Sequence, residues 1–175
     1  MYVDYGKDFY AGVTYNNIPA SDGRTVMIGW ANSWNYANDI PTKGFRGMYA
    51  VPRQLSLRNT AEGLRLIQAP VAELNQHEEN LFGTEKIELD NASKILDSAT
   101  GSSLDISFSL QTDATAGINV FKSGDEQTTI SCNSKTKTVS VDRTKSGDTS
   151  FNSAFAGIET VTINPASEKI NFRIL

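Results

Sequence analysis

Apolar and polar positions alternate with a period of two along most of this chain, a pattern that predicts strands rather than helices. Phe9 to Tyr15 is aromatic and β-branched, as strands favour, and Thr25 to Trp30 is a short apolar run of the kind a buried strand makes. Between them, Pro19-Ala20-Ser21-Asp22-Gly23-Arg24 predicts a turn, with Gly23 supplying a positive φ. Residues 48–57 are extended again, and Pro52 within them marks an edge or a bulge, because proline donates no ladder hydrogen bond. The stretch from Ala31 to Gly47 is a long polar and aromatic loop. Loops beyond about 12–15 residues are usually functional or disordered, and the aromatics here favour function.

From residue 84 onward the same alternation recurs in short runs. Strands are predicted at 87–89, 104–110, 117–121, 128–132, 138–141, 159–163 and 169–175. Turn signals at Thr100-Gly101-Ser102, Ser123-Gly124-Asp125 and Asn133-Ser134-Lys135 separate them, which indicates an antiparallel sandwich. Residues 60–80 differ in character: Glu73, Glu78 and Glu79 make them acidic, with room for a helical turn and no Gly/Ser tract. They read as a packed connector. The chain therefore divides into a first body at 1–58, a connector at 59–83 and a second body at 84–175.

Composition narrows the function. A net charge of -4, with lysines and arginines scattered rather than clustered, argues against a nucleic-acid partner. Cys132 is the only cysteine, so no internal disulfide forms, and it reads as a small residue within a strand. His77 is the only histidine, which disfavours a histidine metal site or a Ser-His-Asp triad. No cofactor or metal is expected. No apolar run is long enough to span a bilayer, and Met1-Tyr2-Val3-Asp4 lacks the basic start and apolar stretch of a signal peptide.

The candidate chemistry lies in the first third. Asp4 and Asp8, four apart, would share one face of a strand, and paired carboxylates are what glycoside hydrolysis needs; aspartates flanking a glycine equally suit a turn. Trp30, Trp34 and Tyr36, interspersed with Asn32, Asn35 and Asn38, offer aromatic faces and amides of the kind that bind sugar hydroxyls. Trp34 and Tyr36 share a face if the segment is extended. Trp30, closing an apolar strand, reads as core. Arg46 and Arg53 read as loop braces, and Asp142-Arg143 as residues ordering a charged turn.

The motifs Asp4-x-Gly6-x-Asp8-Phe9-Tyr10-Ala11, Gly23-Arg24-x-x-x-Ile28-Gly29-Trp30, Trp34-x-Tyr36, Arg46-Gly47-Met48 and Pro52-Arg53-x-Leu55-x-Leu57 occur in that order. Gln68-x-Pro70-Val71-x-Glu73-Leu74, Val141-Asp142-Arg143-Thr144-x-Ser146-Gly147 and Phe151-Asn152-x-x-Phe155 follow. Together they resemble glycoside hydrolase family 32, the levanases, inulinases and invertases. Ala31, where the bacterial members often have methionine, and Phe45, where tryptophan is usual, are departures that bear on substrate preference.

The resemblance implies an all-β fold: last-blade strands of a five-bladed propeller at 1–58, then an antiparallel β-sandwich that is expected to be incomplete. It implies a parent enzyme that hydrolyses β-fructofuranosides (levan, inulin or sucrose) with retention, and that is extracellular, periplasmic or at the cell surface. The family's Asn-Asp-Pro, Arg-Asp-Pro and Glu-Cys-Pro motifs do not occur here, so no catalytic residue carries over, and the chain alone is expected to be inactive. What carries over is a substrate-binding rim: Trp34, with Asp8, Tyr10 and Tyr36. The alternative is a non-catalytic sugar-binding or structural β-sandwich module. Open sheet edges suggest self-association.

Overall fold

The structure is a computed structural model and describes residues 2–61, 63–165 and 167–175. The described residues are almost entirely β, as the period-two pattern requires. The first sheet holds β1 (Tyr10–Thr14), β2 (Thr25–Ala31), β3 (Met48–Tyr49), β4 (Arg53–Thr60) and β5 (Gly63–Pro70). Its order is β1-β2-β4-β5, and β3 also pairs with β2. β3 and β4 lie end to end along the same flank of β2: Trp30 and Ala31 face Tyr49 and Met48, while Thr25 to Met27 face Leu55 to Arg53. Pro52 falls in the break between β3 and β4, where no donor is required.

Residues 59–83, expected as a connector, contain a strand. β5 pairs with β4 along its whole length, from Arg53 opposite Pro70 to Thr60 opposite Gly63. The apolar run Leu64, Leu66, Ile67 thus belongs to the blade, and the link to the second body begins only at Val71. A 3-10 helix at Ala72–His77 supplies the expected helical turn. It is tied to both bodies. Arg24 of the blade reaches the Glu73 carboxylate at 2.7 Å, and Arg173 of the last strand reaches Glu78 at 2.7 Å and Asn75 Oδ1 at 3.0 Å.

The second body is a sandwich of unequal antiparallel sheets. Four strands, β7 (Thr115–Ser123), β8 (Glu126–Asn133), β9 (Thr138–Lys145) and β10 (Ile158–Thr162), lie in the order β10-β9-β8-β7. β6 (Ile106–Gln111) and β11 (Lys169–Ile174) form the second sheet. Their alternation withdraws Ile106, Phe108, Leu110, Ile170, Phe172 and Ile174 from solvent together. Phe108 and Phe172, directly opposite in register, stack with ring centroids 5.0 Å apart. Val120, Ile130 and Cys132 are buried in the larger sheet. Cys132 thus takes the small strand position that the sequence indicates, and burial raises its thiol pKa.

Ile87-Glu88-Leu89, expected as a strand, is unpaired. Leu89 is exposed, and Lys86 and Glu88 pair with each other in solvent, so the run buries too little apolar surface to fix a ladder. Among the described residues no helix is long and apolar enough to cross a membrane.

Candidate functional site

Period-two alternation puts Phe9 and Tyr10 on opposite faces of the first sheet. On one face the Phe9 ring fills the space left by two glycines. A Cβ on Gly29 would sit 2.6 Å from that ring, and one on Gly12 would sit 2.8 Å from it. The Arg53 guanidinium lies 4.4 Å from the ring centroid and pairs with Asp4 at 2.6 Å. Gln68 Nε2 donates to the Val3 carbonyl at 2.7 Å. These contacts hold residues 3–9 against the blade as an irregular segment rather than a strand. Asp4 accepts from the Gly6 amide at 2.8 Å, which is the turn alternative for this pair. Asp4 and Asp8 each meet a different arginine and form no paired-carboxylate site.

On the other face Tyr10, Trp30 and Tyr49 occupy one cross-strand row, because Trp30 stands opposite both. A bulge between Tyr10 and Val13, with Ala11 at φ 50°, redirects the start of β1. Trp34 completes a corner. Its ring is 5.0 Å from Trp30 and 6.1 Å from Tyr10, and Tyr10 and Trp30 are 6.4 Å apart edge to face. Trp34 is 63% exposed, Tyr10 53% and Tyr49 80%. Trp30, expected as core, is half-buried, and its indole Nε1 donates to the Arg46 carbonyl at 3.2 Å. Arg46 braces the loop as expected, through carbonyls rather than a carboxylate: it donates to Thr42 at 2.8 Å and to Ile40 at 3.1 Å.

The loop around Trp34 is not extended. The Tyr36 amide donates to Ser33, and the Asp39 and Ile40 amides donate to the Tyr36 carbonyl, so the backbone winds. Residues two apart then point apart, and Tyr36 goes inward, only 2% exposed. Its hydroxyl donates to Asp8 Oδ1. Arg143, from β9, donates from Nη1 to Asp8 Oδ2 at 2.5 Å and from Nη2 to the Tyr36 hydroxyl at 3.3 Å. Its guanidinium lies 4.6 Å from the Phe155 ring centroid, and Phe155 meets Tyr36 edge to face at 5.5 Å.

Asn152 Nδ2 donates to Asp39 at 2.5 Å and to the Asn35 carbonyl at 3.3 Å, and Lys7 Nζ donates to the Ala154 carbonyl at 2.9 Å. The sandwich therefore grips the blade at the base of the aromatic corner. Of the four residues expected to line a pocket, Trp34 and Tyr10 come together at the exposed corner. Asp8 and Tyr36 meet each other at the joint below it. Sequence reasoning missed Tyr49 and Arg143. Asp142 and Arg143, expected to order a charged turn, lie instead within β9, where the register against β8 shifts: Asp142 accepts from the Thr144 amide at 2.8 Å inside the strand, while Arg143 reaches across to the first body.

Burial and the hydrogen bond to Asp8 push the Tyr36 pKa up to about 12. Arg143 is also raised: burial opposes its charge, but Tyr36 and Asp8 outweigh it. A tyrosine with a raised folded-state pKa stabilises the fold fully below its unfolded pKa of about 10, and that contribution is lost as pH rises through the folded value. An alkaline loss of roughly 2 kcal/mol is expected between about pH 10 and 12. Denaturant midpoints measured across that range should fall, and Tyr36→Phe should flatten the fall. Among the described residues no three His, Cys, Asp or Glu side chains gather to hold a metal.

Two family profiles divide the chain between them. The profile "Glycosyl hydrolases family 32 N-terminal domain" matches residues 1–70, and "Glycosyl hydrolases family 32 C terminal" matches residues 71–175. The chain belongs to glycosyl hydrolase family 32. The junction of the two family 32 profiles coincides with the end of β5 at Pro70.

Relatives include the levanase of Bacillus subtilis (strain 168), 34% identical over 99% of this chain and 27% of that protein. The extracellular exo-inulinase of Aspergillus awamori is 28% identical over 95% of this chain and 32% of that protein. The crystal structure of exo-inulinase from Aspergillus awamori superposes with a TM-score of 0.78 at 26% identity, covering 97% of this chain and 34% of that one. The chain thus spans about a quarter to a third of the length of these family 32 relatives. The fold is that of the family: last-blade propeller strands followed by the β-sandwich.

Proposed function

We propose that this chain supplies the aromatic rim and the supporting sandwich of a β-fructosidase that hydrolyses levan, inulin or sucrose with retention outside the cell, and that these 175 residues alone release no fructose. The observation that carries the reading is the exposed corner of Trp34, Tyr10 and Tyr49 around Trp30. A sugar ring presents apolar C–H faces that rest on aromatic rings, while its hydroxyls need separate polar partners. Retaining hydrolysis requires two carboxyl groups about 5–5.5 Å apart, one of them free to act as nucleophile. Asp4 and Asp8, the acids nearest the corner in sequence, are each held by an arginine, which supports inactivity in isolation.

The test is a fructose-release assay on levan, inulin and sucrose, with the intact mass of the chain confirmed in the same sample. No release is expected. Turnover by the intact chain would overturn the inactive reading and direct attention to Asp4 and Asp8. A second reading, a sugar-binding module without catalysis, is favoured over a purely structural one by the exposure of Trp34, since a structural tryptophan would be buried. Tryptophan fluorescence during titration with a fructan oligosaccharide separates the two. Self-association through the edge strands β1 and β10 belongs to the same proposal, and light scattering at increasing concentration reads it.

A further inference from the structure

The two most useful rings at the corner sit equally far from the joint. Tyr10 lies two residues after Asp8, and Trp34 lies two residues before Tyr36. One guanidinium, Arg143, touches both Asp8 and Tyr36. Two further sandwich contacts fall on the same two segments: Asn152 holds Asn35 and Asp39, next to Trp34 and Tyr36, and Lys7, next to Asp8, holds Ala154 and pairs with Glu159 at 3.1 Å.

We infer that Arg143 is a positioning residue: from the sandwich it fixes the two backbone segments that carry Tyr10 and Trp34, and so sets the spacing and tilt of the sugar-facing rings. This rests on the reading of that corner as a fructosyl-binding rim. The physical argument is one of geometry and burial. Arg143 is 17% exposed at its side chain, and Asp8 is 34% exposed. A planar fork meeting a carboxylate on one side and a hydroxyl on the other defines orientation as well as distance, which a lysine point charge does not. Phe155 lies against the guanidinium and against Tyr36, so the fork has little freedom to swing. Misplacing a binding group by about 1 Å is costly to recognition and catalysis alike.

The pair Trp30–Trp34, at 5.0 Å, provides a signature that a general loss of stability would not move. These are the only tryptophans in the chain, so their coupled circular-dichroism signal reports the corner alone. The experiment compares wild type with Arg143→Met, Arg143→Lys and Arg173→Met. The last removes a comparable arginine that bonds Asp105 and Glu78 far from the corner. Far-ultraviolet spectra confirm that each variant is folded.

Arg143→Met is expected to lose most of the tryptophan-pair signal and to bind a fructan oligosaccharide about tenfold more weakly. Arg143→Lys should recover part of both, and Arg173→Met should change neither. An unchanged pair signal in Arg143→Met, or an equal change in Arg173→Met, overturns the inference. If wild type binds no fructan while Arg143→Met still loses the pair signal, the fructosyl reading falls and the positioning role stands.

Discussion

Replacing Gly47 by alanine is expected to lower the unfolding free energy by roughly 3 kcal/mol. Two costs combine at this position. Gly47 has φ 71°, and a side chain there adds about 1–2 kcal/mol of backbone strain. Its new Cβ would also lie 2.2 Å from Trp30 Nε1 and 2.9 Å from Asn32 Cβ, so the indole must leave the Arg46 carbonyl. Overpacking of that kind costs about 1–3 kcal/mol. Gly44 separates the two terms. It has φ 85°, and a Cβ there meets nothing within 4 Å. Gly44→Ala should therefore show the backbone cost alone, about 1–2 kcal/mol. Denaturant midpoints of the two variants measure the difference, and equal losses would mean that Trp30 yields freely to the added methyl.

Trp34→Ala is expected to weaken binding of a fructan oligosaccharide at least about tenfold while changing stability by less than about 1 kcal/mol. The ring is mostly in solvent, and its contacts are to Trp30 and Tyr10 rather than to the core. Tyr36→Ala, only two residues on, should do the reverse to the fold. It removes a buried ring packed on Phe155 and the hydroxyl shared by Asp8 and Arg143, a loss of roughly 3–5 kcal/mol. Calorimetric titration and thermal melts of both variants check the pair. If Trp34→Ala melts far below wild type while binding is unaltered, the ring is structural and the rim lies elsewhere.

The strands were legible because alternation is a local property. The expected strands at 9–15, 25–30, 128–132 and 159–163 overlap β1, β2, β8 and β10 with ends shifted by a few residues. The run 87–89 carried the same alternation and failed, because pairing also needs a partner strand and buried area, which three residues beside charges do not provide. The strand β5 was missed for the opposite reason: its residues read as a link until the facing β4 gave them a register.

Trp34 and Tyr10 were identifiable as candidate rim residues from residue type and motif alone. The inward turn of Tyr36 was not, since an extended loop and a wound one share the same sequence spacing. Arg143 was invisible as a partner of Asp8, because nothing local announces a contact made across 135 positions. Within the motif Val141-Asp142-Arg143-Thr144, Asp142 and Thr144 satisfy each other locally, and Arg143 does not share in that contact. An arginine between two residues that satisfy each other was the available hint that its own partner lay elsewhere. Asn32, read from the sequence as an amide available to sugar hydroxyls, is instead buried, and its Nδ2 has no partner among the described residues. Such an orphaned donor costs about 1–3 kcal/mol.

The joint also orders events in time. A ribosome adds about 5–20 residues each second, so Asp8 emerges on the order of ten seconds before Arg143, which lies 135 positions later. During that interval the Tyr36 ring has no Phe155 to meet, and the Asp8 carboxylate has no cation from the sandwich. The aromatic corner is translated before the contacts that finish it, and its rings wait unsupported until β9 leaves the exit tunnel.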